Sequence, residues 1–376
     1  METIRVCVLG VGLGGLTFHV PFVLALPHLF TLHSVLERNP SSPGGKVHDR
    51  FGITVKIHRS LGEALQDPAV DLVVVATPNH THYDFAKAAL LAGKHVLVDK
   101  PVTATAAQAR QLGLLAQDKN LILYAFQNRR WDSDFLALKR LLALPPSSLP
   151  SLGYLTEFAS HFDRYRPTLK GTWKDDALPA AGVTFDLGAH LVDQALVLFG
   201  RPQKLTAFIQ NMRGVGDLDV DDSFTIFLHY DRTTTQPYPL TVILRAHVLS
   251  VRSPQLRFLV RGTNGTFVKH GLDVQEDQLK EIPTPGAILD HSFGKEPESI
   301  WGVLELASND GADTVKNIWS SVDVGSYIEL FKNLGAVIRD GAEPSVKWEE
   351  ATAVVELIEL AHRSAREGIT VQCHST

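Results

Sequence analysis

The sequence predicts an α/β chain of two parts. The first is a doubly wound parallel sheet, and the second is an α/β domain on a large, mostly antiparallel open sheet. Three observations carry this. The apolar run Ile4-Arg5-Val6-Cys7-Val8-Leu9 meets Gly10-x-Gly12-x-x-Gly15 and then a helical stretch. Up to residue 127, short apolar runs alternate with helix-forming stretches, the rhythm of βαβ units. Beyond residue 200, longer runs alternate apolar with polar residues and are joined by hairpin-like loops. The chain has 376 residues, 44% of them hydrophobic and 20% charged, enough for about two domains with large cores.

Each element can be justified in order. Gly10 makes the tight turn out of the first strand, Gly12 removes a Cβ where a pyrophosphate approaches, and Gly15 lets the helix over 16–26 pack close. The helix start offers free N–H groups to phosphate. This is the fingerprint of a Rossmann dinucleotide-binding domain. The second strand, 30–36, ends at Glu37-Arg38. Glu37 suits the adenosine ribose hydroxyls and favours NAD, whereas Arg38, with Ser41, Ser42 and Lys46 nearby, suits a 2′-phosphate and favours NADP. The cofactor is therefore NAD(P)(H), with the preference open. A short strand follows at 54–57, and Ser60-Leu61-Gly62-Glu63 is a capping box for the next helix. The apolar strand 71–76 delivers Thr77, Pro78, Asn79, His80 and His82 to the carboxyl edge of the sheet, where ligands of such sheets bind. A helix over 83–92 stops at Gly93, and strand 95–98 ends at Asp99-Lys100-Pro101. A helix over 105–119 and a strand over 121–126 complete the domain, placed at 1–127.

The remainder, 128–376, reads as a substrate-binding and oligomerisation domain. It opens with an amphipathic helix over 131–143 and a proline/serine loop, then a strand over 155–161. A helix over 185–199 follows, then strands over 204–211, 223–230, 240–249 and 255–261, with a turn at Asn264-Gly265. The last helix, 348–367, ends at Gly368 and is expected to pack back on the first domain. A net charge of −5 without a basic run argues against nucleic acid. Two cysteines, Cys7 and Cys373, allow no disulfide framework, and no zinc-ligand spacing occurs, so no metal is expected. No apolar run reaches the ~18 residues of a membrane span, and Met1 leads directly into a strand. A soluble cytoplasmic protein is expected.

Chemistry is expected at Lys100, Asp186 and His190. Lys100 ends a parallel strand and can polarise a substrate oxygen beside the nicotinamide. Asp186 and His190, spaced i, i+4 on a helix, point at one locus, with His190 suited to take a hydroxyl proton near neutral pH. Asn128, Arg129 and Trp131 lie at the domain junction, and Arg130 is a candidate for an ion pair. His161, Tyr165 and Trp173 follow a second-domain strand, where polar and aromatic groups suit a polyol. The aspartates at 217, 219, 221 and 222 read as a solvated acidic loop.

These residues together resemble the glucose–fructose oxidoreductase / inositol dehydrogenase (Gfo/Idh/MocA) family over most of the chain. The matching pieces are Gly10-x-Gly12-x-x-Gly15, Thr77-Pro78-Asn79-x-x-His82, Gly93-Lys94-His95-Val96, Lys100-Pro101 and Asp186-x-Gly188-x-His190. Asp99 departs from the family's usual Glu before the lysine. The runs 128–135 and 186–194 are similar to the subgroup holding NADP-dependent scyllo-inositol dehydrogenase. The resemblance implies Lys100, Asp186 and His190 as the catalytic group. It also implies a small sugar or cyclitol substrate and pairing through the second-domain sheet into homodimers or larger assemblies. The cofactor set is then Gly10, Gly12, Gly15, Glu37, Arg38, Thr77, Pro78, Asn79, His82, Asp99, Lys100, Pro101 and Asn128. A non-catalytic, dinucleotide-binding regulatory protein is the alternative, and retention of the catalytic trio favours the enzyme.

Overall fold

A computed structural model describes residues 2–308 and 313–373. It divides into two compact units. One holds the chain to Asn128 with Val274–Phe293 and Ser326–Val355, and the other holds Arg129–Asp273, Gly294–Gly325 and the chain from Glu356.

In the first unit, β1 (Ile4–Leu9), β2 (Phe30–Leu36), β3 (Lys56–His58), β4 (Leu72–Val75), β5 (His95–Val98) and β6 (Leu123–Ala125) form one sheet in the order β3-β2-β1-β4-β5-β6. Every pair is parallel, the doubly wound topology expected. β4 is buried along its whole length, because helices cover both faces of such a sheet. The strand order reverses between β1 and β4, so their carboxyl ends form the crevice where ligands bind. The first crossover is not one regular helix. A π-helical turn, Gly15–His19, precedes α1 (Val20–Ala25). A short helix the sequence did not suggest, α2 (Gly45–Phe51), stands beside β2. Then come α3 (Leu61–Gln66), α4 (His82–Leu91) and α5 (Ala106–Asp118), the last opened by a capping box from Thr105 and Gln108.

The second unit is a nine-stranded sheet. α6 (Ser133–Leu142) leads to β7 (Leu155–His161), and α7 (Ala189–Phe199) leads to β8 (Lys204–Gln210), β9 (Ser223–Tyr230) and β10 (Leu240–His247). The strands β11 (Leu256–Gly262), β12 (Gly265–His270), β13 (Gly302–Ala307), β14 (Thr314–Trp319) and β15 (Val371–Gln372) complete the order β14-β13-β12-β11-β7-β10-β9-β8-β15. Pairing is antiparallel except between β7 and β10. Register aligns Leu205, Leu228, Val242, Phe158, Val260, Phe267 and Leu304 in one row, and all are buried. α7 packs on this face, with Phe199 edge-on to Phe158 at 5.1 Å. The opposite face carries the row Phe227, Ile243, Ala159, Leu259, Val268, Val303 and Ile318, all apolar and, apart from buried Ala159, only half-buried or exposed.

Three helices follow late in the chain: α8 (Gln275–Glu281), α9 (Ile328–Asp340) and α10 (Trp348–Glu367). Within the first unit, the Trp348 indole donates to the Ala109 carbonyl at 2.8 Å, and the Tyr124 hydroxyl donates to Asn333 at 2.6 Å. These bonds tie returning segments to the parallel-sheet core. No described helix is long and apolar enough to cross a membrane.

Candidate active site

The three glycines show why the loop needs them. Gly10 has φ +93°, and a Cβ there would stand 2.8 Å from the Ala76 carbonyl oxygen. A Cβ on Gly15 would stand 1.9 Å from the Gly10 carbonyl oxygen, so only glycine lets the helix start approach the strand. A Cβ on Gly12 would meet nothing within 4 Å, which leaves an open cradle beside the backbone. Glu37 is 5% exposed at the end of β2. Its Oε2 accepts from the Lys46 N–H at 3.0 Å, at the start of α2. Its Oε1 is buried with no hydrogen-bond partner among the described residues. A buried acceptor of this kind needs a donor, and a ribose hydroxyl is a suitable one. An open glycine cradle and an unfilled acceptor at the next strand end are the two fittings a dinucleotide needs. Arg38 is exposed, and its carbonyl accepts from Arg59 at 3.3 Å. Ser42 donates to Asp49 at 2.7 Å.

The loops beyond β4 and β5 are cross-tied. The Thr77 and Thr81 hydroxyls are 2.6 Å apart, and Pro78 leads into the 3-10 turn Asn79–Thr81. His82 is buried, with Nδ1 2.7 Å from the Pro101 carbonyl oxygen and Nε2 2.8 Å from that of Thr77. Burial lowers its pKa, while Asp99 and both carbonyls pull the other way. His82 thus joins the two loops as a strut. Asp99 accepts from the Lys100 N–H at 2.7 Å, and its Oδ2 lies 3.2 Å from His19 Nε2. Burial acts to raise the Asp99 pKa, but His19 and Lys100 hold it below its ordinary value. Lys100 is half-buried and joined to buried Pro101 by a cis peptide; Asn128 is also buried. No motif in the sequence singles out His19. It is fully buried in the π-helical turn, its ring 4.3 Å from Phe126 and 6.2 Å from Phe331. A lone histidine in an apolar helix was its only sign.

In the second unit, Asp186 falls in a π-helical turn, Thr184–Gly188, rather than in a regular α-helix, and His190 lies in the first turn of α7. π-helical turns are rare and cluster at functional sites. A polar network holds α7. Arg130 forms a two-pronged bond to Asp193 at 2.9 and 2.7 Å. Gln194 donates to the Arg129 carbonyl at 2.9 Å and accepts from Arg257 at 2.9 Å, and fully buried Arg257 reaches Asp134 at 2.8 Å. The Arg129 guanidinium lies over Phe162 at 4.9 Å, and Trp131 is half-buried. His161 is 3.2 Å from Asp163, Tyr165 is 57% exposed, and Trp173 begins a 3-10 turn, Trp173–Asp175.

Two lysines unforeseen in the sequence reach Asp186. Lys174 Nζ donates to Oδ1 at 2.8 Å, and Lys170 Nζ is 3.6 Å from Oδ2. The acidic loop also differs from expectation. Asp221 and Asp222 are buried, not solvated, because each satisfies backbone or cationic donors. Asp221 accepts from both the N–H and the hydroxyl of Thr184 at 2.7 Å, and Asp222 pairs with Arg213 at 2.7 Å. Asp217 and Asp219 are exposed, as expected. Among the described residues, no group of three or more His, Cys, Asp or Glu side chains is placed to hold a metal ion.

Residues 4–127 match the model of the Gfo/Idh/MocA oxidoreductase family's NAD-binding Rossmann domain, and residues 150–373 match the model of its C-terminal α/β domain. An uncharacterized oxidoreductase of Schizosaccharomyces pombe is 35% identical over 378 residues, covering 99% of this chain and 100% of the relative. The scyllo-inositol 2-dehydrogenase (NADP(+)) IolW of Bacillus subtilis is 32% identical, covering 99% and 96%. A crystal structure of an oxidoreductase from Bacillus cereus is 29% identical with a TM-score of 0.82, covering 100% of this chain and 99% of that one. With both domain models matched in order along one chain, the protein belongs to the Gfo/Idh/MocA family of NAD(P)-dependent oxidoreductases.

Proposed function

We propose that the protein is a dehydrogenase or reductase acting on a CH–OH group of a sugar or cyclitol, or on the corresponding carbonyl. The observation that carries this is the pairing of an open glycine cradle and an unfilled Glu37 oxygen with a retained Lys100, Asp186 and His190. The named inositol dehydrogenase relative supports the substrate class. Gly10, Gly12 and Gly15 hold the pyrophosphate, and Glu37 takes the ribose hydroxyl, with Arg38 exposed beside it. Thr77, Pro78, Asn79, Asp99, Pro101 and Asn128 shape the nicotinamide end, and His82 braces it. When bound, the nicotinamide supplies the hydride acceptor or donor.

The protein's own groups do the proton work. His190 takes the hydroxyl proton as the C–H bond breaks. Lys100 stabilises the developing alkoxide, and Asp186 orients the imidazole. Arg129, Trp131, His161, Tyr165 and Trp173 line the substrate, with Asn128. Lys100→Met and His190→Ala should each lower kcat by about 10²–10⁴-fold while NAD(P)H affinity stays near normal. A panel of inositols and of neutral, carboxylated and phosphorylated sugars, tested with both cofactors and read by nicotinamide absorbance, tests the function. Dinucleotide binding with no turnover on any of them would make the regulatory reading the better one.

The assembly we propose is a homodimer through the open sheet face, in the cytoplasm, where both buried cysteine thiols stay reduced. The row from Phe227 to Ile318 is the surface that supports this.

A further inference from the structure

Asp186 has one negative charge and two ammonium partners, Lys174 at 2.8 Å and Lys170 at 3.6 Å. Among these three groups the ammonium charges outnumber the carboxylate. Arg164 and Arg166 add like charge around Lys170. Other carboxylates of this unit make contacts of their own. Asp163 is 3.2 Å from His161 and 3.7 Å from Arg245, Asp175 accepts from the Thr172 N–H at 3.2 Å, and Asp222 pairs with Arg213 at 2.7 Å. Asp221 is taken up by Thr184, and Asp176 is exposed.

Only 30% of the Lys170 side chain is exposed. Burial pushes its pKa down to about 8; Asp186 opposes this, and Lys174, Arg164 and Arg166 add to it. A cation withdrawn from water among other cations is costly, and an arriving anion relieves that cost. A neutral polyol does not.

We propose, building on the dehydrogenase reading, that Lys170 and Lys174 bind an anionic group of the substrate, a carboxylate or phosphate, so that the substrate is an acidic rather than a neutral sugar or polyol. The lysines grip the anion while Asp186 spaces the two ammonium groups. Sequence alone does not show this, because Lys170 and Lys174 precede Asp186 in an irregular segment whose path only the fold defines.

The test uses the full chain with NAD⁺ or NADP⁺ bound. D-Gluconate, D-glucose 6-phosphate and neutral sorbitol are titrated, followed by tryptophan fluorescence, with Trp173 beside Lys174 as reporter. Calorimetry near pH 8 in two buffers of different ionisation enthalpy counts protons. The anionic probes should bind about tenfold or more tightly than sorbitol. They should also draw up to about half a proton per site, because an anion raises the Lys170 pKa from near 8 toward its ordinary value. Lys170→Met should abolish the uptake and weaken anion binding about tenfold, and Lys174→Met should weaken it similarly. Lys170→Arg keeps the charge and should keep the affinity while losing the uptake.

Preference for glucose 6-phosphate over gluconate would support the site and identify the group as phosphate. Equal binding of sorbitol and gluconate, or proton uptake unchanged in Lys170→Met, overturns the proposal. Oxidation of sorbitol with no oxidation or binding of either anion overturns it too, yet leaves the dehydrogenase reading standing. Gluconate binding with proton uptake, but no nicotinamide reduction by any polyol, supports the anion site and sinks the dehydrogenase reading instead.

Discussion

At the scale of single residues, open space and crowding distinguish the glycines. Gly12 tolerates a Cβ sterically in the protein alone, since nothing lies within 4 Å of that position. Gly12→Val should therefore fold normally but fill the cradle that the pyrophosphate needs. An overpacking cost of about 1–3 kcal/mol corresponds to about five- to 150-fold weaker dinucleotide binding. Thermal unfolding at the parent temperature with that loss in a fluorescence titration is the expected result, and unchanged affinity would move the cofactor elsewhere. His19 is the contrasting case. It is fully buried, and its Nε2 lies 3.2 Å from Oδ2 of Asp99, the residue before Lys100. His19→Gln keeps a donor near the Nε2 position, whereas His19→Leu removes it. The leucine variant should lose about 1.5–3 kcal/mol of the charge-assisted bond's contribution, and the glutamine variant less, checked by denaturant unfolding. Equal losses would mean that ring packing against Phe126 and Phe331, not the bond to Asp99, is what His19 supplies.

At the scale of elements, the turn Thr184–Gly188 is anchored from outside its own helix. Asp221 accepts two bonds from Thr184, and Gly182, with φ +87°, leaves room for it, since a Cβ there would sit 2.0 Å from Asp221 Oδ1. Burial raises the Asp221 pKa to about 6, although its bonds from Thr184 act in the opposite direction. The folded state therefore holds this proton more tightly than the unfolded state. Its stabilising contribution is complete below pH 3.8 and is lost as pH rises through about 6. Asp221→Asn keeps an acceptor for Thr184 and cannot ionise. Relative to the parent, the variant should gain on the order of 1–3 kcal/mol above pH 6 and nothing below pH 4, which denaturant unfolding across that range measures. A difference independent of pH would show that the carboxyl does not titrate in this window.

At the scale of the whole molecule, the question is what covers the second sheet. One face is closed by α7 and its row of buried side chains, while the other leaves Phe227 and Ile243 side by side with Phe208, which is 58% exposed. Ile243→Asp puts a charge in the middle of that face. The parent should scatter light as a dimer at micromolar concentration and the variant as a monomer, with the fold retained because Ile243 points away from the covered face. A parent that is already monomeric would leave this surface without the proposed role.

Much of this architecture follows from local pattern. The apolar runs, the glycine spacing and the acidic residue at the end of β2 specify the parallel sheet and its ligand edge, because periodicity and φ preference act over a few neighbouring residues. The alternating strands over 223–230 and 240–247 are legible for the same reason. Catalytic candidates Lys100, Asp186 and His190 are legible as motif members, each at a strand end or helix start. What only the tertiary structure decided are the partners: Lys170 and Lys174 on Asp186, His19 on Asp99, Asp221 on Thr184, Arg257 on Asp134. It also decided the return of Val274–Phe293 and Ser326–Val355 to the first unit. Most of these pairs are separated by dozens of residues, and charge compensation inside a core depends on which chains pack together. No residue's own type or spacing encodes that, so the sequence offers candidate reacting groups and the fold determines the charges around them.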